Sequence, residues 1–429
     1  MRFFLLFLAL SLFACGVTET DLNHSIEHNH NYKLLKAYFF KPERIKEYSV
    51  YEEMEIDSMY SSLNDYLRGH RYTRYHQPEE ADEVIDGREN SERYYSFGFE
   101  RTLAGDTLIV NAVYPISPAA EAELKKHDKL LFANGRSLTG ENAVLYKNLD
   151  DPFDNSTVFE VLRGEERVPL SAMQKREVPK PTVYLDSLDG VPFIRVTSFT
   201  RYTNNPNGTY AEFKEVLQEI QGTKTAIIDM RGNLGGSIHH CTGMAAELAP
   251  LDKELIFDVY HHHDRQRGNV IDTIRVFARD YYPENSSAGL GIKWVILANE
   301  WSASCSERFI AAVKASRPET VVIGQTTYGK GIGQVYMKTY LGGLAFITCL
   351  QTFSPNGKSF HEVGIEPDIF IEPNNEEAIY MAAMQAAQNF DLGIAARRSF
   401  ASITLKALPP QRKADEMEPA AYRLLHEWE

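Results

Sequence analysis

The sequence predicts a multidomain α/β protein, and three changes of pattern along the chain carry that prediction. Apolar residues first recur at helical spacing, as in Leu34, Leu35, Ala37 and Tyr38 and again in Met54, Ile56, Met59, Tyr60 and Leu63. Between about Tyr94 and Glu177 the pattern shortens to strands punctuated by Gly, Asn-Gly and Pro. From about Thr182 to Pro373 strands and helices alternate, which implies parallel pairing through crossover helices. A chain of 429 residues has room for these units, at roughly 150 residues per domain.

Taken in order, residues 1–15 form a targeting segment, in which Arg2 is followed by the apolar run FFLLFLALSLFA and then Cys15. The run is too short to cross a bilayer as a helix. Leu12-Phe13-Ala14-Cys15 resembles a bacterial lipobox, with Phe13 bulkier than usual there, so Cys15 is the expected lipid carrier and a plain cleaved signal is the alternative. Either way the mature chain is expected to be exported, as a lipoprotein facing the periplasm or cell surface or as a soluble secreted or periplasmic protein. Residues 16–30 are polar without apolar periodicity and are expected to be a tether.

Residues 31–90 follow as a helical N-terminal domain and residues 91–177 as a mostly-β module with the runs YSFGFE, DTLIVNAVY, KLLFANGRSL and STVFEVLRG. Residues 178–375 form the α/β core, with the strand runs FIRVTSF, TAIIDM, WVILAN and TVVIGQ, and residues 376–429 a helical C-terminal extension. Hydrophobic residues at 43% and charged residues at 24% are ordinary globular values and exclude a disordered or multi-span membrane chain. A net charge of −14 argues against a nucleic-acid partner. Four cysteines, Cys15, Cys241, Cys305 and Cys349, are too few for a disulfide scaffold.

Three segments can carry chemistry. Asp229-Met230-Arg231-Gly232-Asn233-Leu234-Gly235-Gly236 places glycines between a strand and a helix, where bare N–H groups can face an oxygen; an ordinary turn has the same composition. Asn299-Glu300-Trp301-Ser302-Ala303-Ser304-Cys305-Ser306-Glu307 sets serines at a strand-to-helix junction, at the positive end of the helix. Read alone, Ser304-x-x-Glu307 is equally a capping box. The third, Gly324 to Gln334, contains G-x-x-x-x-G-K, but Gly331 stands where a phosphate loop needs Ser or Thr, and a strand-like run, VYMKTYL, follows where that motif needs a helix. Lys330 in this loop is then a solvated lysine or, if burial keeps its amine neutral, a general base. Nucleophile, base, orienter and oxyanion donors are the set that acyl transfer requires.

In DMRGNLGG at 229–236, NEWSASCSE at 299–307, TTYGKGIGQ at 326–334 and VGIEPD at 363–368, the sequence resembles the carboxyl-terminal-processing (tail-specific) serine peptidases, in that family's order and near its spacing. The β module is similar to a PDZ domain, with Phe97, Gly98 and Phe99 in the position of the carboxylate-binding loop and the segment 116–138 in that of its helix and strand. The resemblance spans about Tyr94 to Pro373 and implies a crotonase-like core fold. It also implies Ser304 as nucleophile, Lys330 as base, Gln334 as orienter of the amine, and an oxyanion hole from the N–H of Cys305 with that of Gly235 or Gly236. No metal or cofactor is implied. The partners implied are proteins or peptides with free apolar C-termini and, through Cys15, a membrane. Cys305 and Trp301 replace small residues usual in the family.

If Lys330 is the base, Glu307 must point away from its amine and back to the helix start, because a carboxylate beside the ammonium would favour the charge. Competing chemistry is thinner. No HExxH or G-x-S-x-G occurs, and His239-His240 and His261-His262-His263 are expected on alternating, solvated faces. Cys305 is either a thiol nucleophile or a packed small residue. A catalytically silent PDZ-containing peptide-binding or scaffold lipoprotein is the alternative of a different class.

Overall fold

A computed structural model describes residues 19–64, 72–147, 153–264, 268–281 and 289–388. The segment ending at Cys15 and the last 41 residues of the expected C-terminal extension, 389–429, lie outside them.

The α/β core is built on a six-stranded sheet in the order Val183–Leu188, Val191–Val196, Thr225–Asp229, Lys293–Ala298, Val321–Gly324 and Ile369–Phe370. Its first pair is antiparallel and every later pair parallel, as alternation of strand and helix requires. The strands Thr225–Asp229 and Lys293–Ala298 are buried on both faces, which is why they read as continuous apolar runs. Alternate residues serve two cores. Ala226, Ile228, Trp294 and Ile296 pack with Phe213, Met244 and Phe309 from the helices Gly208–Glu219, Ile238–Leu248 and Cys305–Ser316. Ile227, Val295 and Leu297 face Ile379, Ala382 and Ala383 of the helix Glu376–Gln388.

A second, antiparallel sheet carries the loop of Lys330 into the strand Ile332–Lys338, so the strand expected there in place of a helix is present. That strand pairs with Leu344–Phe353, which also pairs with Arg74–His76 and with Glu254–Asp264 of a long hairpin closed by Gly268–Phe277.

The N-terminal helices do not close on themselves. Helices Glu19–Tyr38 and Ile56–Ser61 pack Leu35, Met59 and Tyr60 against Ala345 and Ile347 on one face of this sheet. Helix Pro78–Glu89 covers the other face at Leu344 and Phe346. Residues 31–90 thus add a strand and two layers to this second sheet.

The expected tether needs a correction: from Glu19 onward it is helix. It lacks apolar periodicity because it is held by polar bonds. Buried Glu27 accepts from Tyr75 Oη at 3.1 Å and from Leu341 N at 2.8 Å, and His28 Nε2 bonds Met54 O at 2.9 Å. A hydrophobicity pattern cannot register contacts of this kind.

The β module is an antiparallel sheet in the order Phe99–Ala104, Thr107–Val113, Lys129–Ala133, Phe159–Arg163 and Glu166–Pro169, closed over Leu108, Val110, Leu130, Phe159 and Val161. Both of its connections run through one two-stranded ribbon, Arg93–Ser96 against Arg176–Pro179.

Candidate active site

Two loops at the carboxyl ends of adjacent parallel strands meet here, the place where an open α/β sheet leaves a crevice. After Thr225–Asp229 the chain runs through Asn233 to Gly235 and Gly236; after Lys293–Ala298 it runs through Ser302 to Ser304. The loops are stitched together by buried polar groups. Ser302 Oγ donates to Met230 O at 2.9 Å, and Asn233 O accepts from Ala303 N at 2.9 Å and Ser306 Oγ at 2.7 Å.

The glycines are sterically required. A Cβ on Gly235 would lie 2.8 Å from Ser304 Cβ and from Cys305 N, and one on Gly236 would lie 2.1 Å from Phe199 O. Their φ angles, +104° and +138°, are also ones that side chains rarely adopt.

Ser304 precedes the helix Cys305–Ser316 with φ 56° and ψ −109°. For a residue with a Cβ this is a strained conformation costing about 1–3 kcal/mol, and it persists only where neighbours over-determine it. Glu307 supplies much of that restraint. Its carboxylate is wholly buried, and Oε2 accepts from Ser304 N at 2.9 Å and Lys330 N at 2.7 Å. Oε1 accepts from Gly329 N at 2.6 Å and Thr327 Oγ1 at 2.7 Å. The carboxylate therefore points back to the helix start, as expected, and also ties the lysine loop to it. Burial raises its pKa above the ordinary carboxylate value even though these donors pull it down.

Lys330 is half-buried, and burial pushes its amine down to about 7. The Arg88 and Arg74 guanidiniums press in the same direction, against Cys305 and Glu307. Nζ stands 4.3 Å from the centroid of the Tyr72 ring, and no hydrogen bond joins it to Ser304 Oγ in this geometry. Gln334 donates from Nε2 to Thr348 Oγ1 at 3.3 Å and is not bonded to Lys330 here.

Of the two glycines, Gly235 has its N–H committed to Asn233 Oδ1 at 2.9 Å. Gly236 N–H donates to no described residue, and Cys305 N lies in the first turn of its helix, where amides have no intrahelical partner. The Cys305 thiol is buried against Cys241, and burial drives its pKa well up, so it packs beside the turn and does not compete with Ser304 for a peptide carbonyl.

In the module, Phe97 lies in the core, Phe99 begins the edge strand, and Gly98 has φ +77° with its N–H bonded to Ser96 Oγ at 2.9 Å. His240 is not solvated as expected. It is buried and accepts from Tyr210 N at 3.1 Å, and burial lowers its pKa to about 4. Among the described residues no group of three His, Cys, Asp or Glu side chains could hold a metal. Arg74, Arg88 and Tyr72 escaped the sequence reading because only the fold brings residues so distant in the chain to Lys330.

Fold and site together set a serine-bearing turn, a glycine loop and a lysine loop at one end of a mixed α/β sheet. Residues 190–371 match the model of peptidase family S41. The chain is 27% identical over 330 residues to the carboxy-terminal processing protease CtpB of Bacillus subtilis (strain 168), covering 75% of this chain and 62% of that protein. It is 24% identical over 360 residues to the "Probable CtpA-like serine protease" of Staphylococcus aureus (strain COL), covering 83% and 66%. The chain thus spans a little under two thirds of the length of these relatives. The structure of the photosystem II D1 C-terminal processing protease aligns with 86% of this chain and 98% of its own at 19% identity, with a TM-score of 0.46.

Two outcomes follow for the strained turn and its clamp. Ser304→Gly relieves the positive φ and should raise the denaturant midpoint, a gain of about 1 kcal/mol after the added chain entropy of glycine, whereas Ser304→Ala should not. Glu307→Gln sets an amide NH2 against N–H donors and should cost about 3 kcal/mol in the same unfolding experiment; an unchanged midpoint would remove Glu307 from its clamping role.

Proposed function

We propose that the chain is a serine endopeptidase of the cell envelope that cleaves proteins or peptides held by their C-terminal ends, with Ser304 as nucleophile and Lys330 as base. The carrying observation is the lysine amine brought down to about 7 in a loop that Glu307 ties to the serine-bearing turn. The position of Lys330 over Tyr72 is then a resting one, and Nζ leaves the ring to meet Ser304 Oγ. Neutral Lys330 takes the hydroxyl proton as Oγ attacks the peptide carbonyl, and the developing oxyanion is received by the N–H groups of Cys305 and Gly236. The ammonium then returns its proton to the leaving amine, and water, activated by the same lysine, hydrolyses the acyl-enzyme. Gln334, on the strand that follows the lysine loop, is the orienter once the amine has turned.

Recognition falls to the β module, read as a PDZ domain. Its strand Phe99–Ala104 is at the sheet edge, open to addition of an extended peptide, and is packed by the helix Glu141–Lys147. That helix leaves Val144 and Leu145 47% and 57% exposed, an apolar surface suited to apolar C-terminal side chains. Attachment to the membrane rests on the Cys15 motif, since no helix among the described residues is long and apolar enough to cross one. The absence of a Ser304–Lys330 hydrogen bond favours a second reading, a catalytically silent peptide-binding lipoprotein, and the same experiment separates the two.

Cleavage of an unstructured protein substrate is measured with the native chain, Ser304→Ala and Lys330→Ala, each checked for folding by circular dichroism. Both variants should lose activity by at least about 10³-fold; retained cleavage in Lys330→Ala removes lysine from the mechanism, and an inactive native chain that still binds a C-terminal peptide supports the silent reading. Because the working base is the neutral amine, kcat/KM should rise with pH through about 7 and then level. Arg88→Gln removes a positive charge that disfavours the ammonium, so this limb should move to higher pH.

A further inference from the structure

We propose that Cys241 and Cys305 form a site of reversible oxidation, a disulfide that closes behind Ser304 and disables the oxyanion seat. The two sulfurs are already in contact at 2.7 Å, although 64 residues separate them in sequence. Both are buried, Cys241 on the helix Ile238–Leu248 that follows the glycine loop and Cys305 at the start of the helix that follows Ser304. Closing to a bond of about 2.05 Å needs little movement from either helix. That small movement has a sensitive place to act. Cys305 Sγ also touches Gly236 O at 3.2 Å, so one side chain links the two backbone segments whose N–H groups would receive the oxyanion. Drawing Cys305 toward Cys241 takes its sulfur off the Gly236 carbonyl and shifts its own N–H. Cys349 serves as the internal comparison, being buried with its sulfur near Gly333 O at 3.9 Å and paired with no other thiol among the described residues.

Burial limits the oxidant to a small one, and hydrogen peroxide fits. One sulfur attacks a peroxide oxygen and breaks the O–O bond, giving a sulfenic acid and one water; the second sulfur then displaces its hydroxyl, which leaves with the released proton as another water. The sum is two thiols and one peroxide going to one disulfide and two waters. A dithiol reductant reverses it by thiol–disulfide exchange.

The bond itself is read without reference to activity. The full-length chain is treated with hydrogen peroxide, unfolded in an alkylating reagent and mapped by mass spectrometry. The expected product is a peptide pair joined through Cys241 and Cys305 and lighter by two hydrogens, with Cys349 still alkylated. Both sulfurs alkylated after exposure that oxidises surface methionines would overturn the site. The regulatory half rests on the proposed peptidase reading. Cleavage should fall about tenfold or more on oxidation and return with dithiothreitol, while Cys241→Ser or, if that variant folds poorly, Cys241→Ala should lose none of its activity to peroxide. Cross-linking with undiminished cleavage, or equal loss in the Cys241 variant, overturns the regulation but leaves the peptidase reading intact; no cleavage by the untreated chain sinks that reading and leaves the cross-link to be judged by mass alone.

Discussion

Everything at the site hangs on one buried carboxylate. Glu307 holds the amide of Ser304 with one oxygen and reaches the loop of Lys330 with both, so the serine turn and the loop that leads into the second sheet are set by a single side chain. A helix N-terminus leaves amides without partners, and a loop that turns sharply does the same. One acidic group satisfies both deficits, and in doing so fixes the separation of the serine turn from the lysine backbone. The lysine amine is left outside this arrangement, attached only through its own flexible side chain, which can reorient without disturbing the frame.

The electrostatics of the lysine follow from the same division of labour. A carboxylate close to an ammonium ordinarily keeps it charged, and Glu307 does pull in that direction. Its oxygens are already committed to four donors, however, and burial together with the two arginines outweighs it. Arg74 and Arg88 flank Phe346, with guanidinium carbons 4.7 and 4.4 Å from the ring centroid, so an aromatic platform holds them within electrostatic reach of Lys330.

How much of this was legible in the sequence depends on the range of the interaction. The strands TAIIDM and WVILAN, the helix after Ser304 and the strand after Gly333 are local patterns, and the structure has them where periodicity puts them. The Ser304–Glu307 bond is also local, three residues apart, and was visible as a cap. That the same carboxylate would bind Gly329 and Lys330, over twenty residues further on, is a tertiary fact with no local signature. The helix from Glu19 was missed for a related reason, because polar side chains such as Glu27 and His28 do its packing. The commitment of the Gly235 amide to Asn233 left Gly236 as the available donor, a distinction that composition could not make.

The ribbon of Arg93–Ser96 against Arg176–Pro179 brings the entry and exit of the β module side by side. The host sheets are complete without any strand from the insert. Geometrically the module is a graft on a closed stock: it can be lengthened, exchanged or lost through one narrow stem while the parent layers keep their register. The insert and the layers that carry Ser304 and Lys330 are therefore free to change on separate evolutionary clocks.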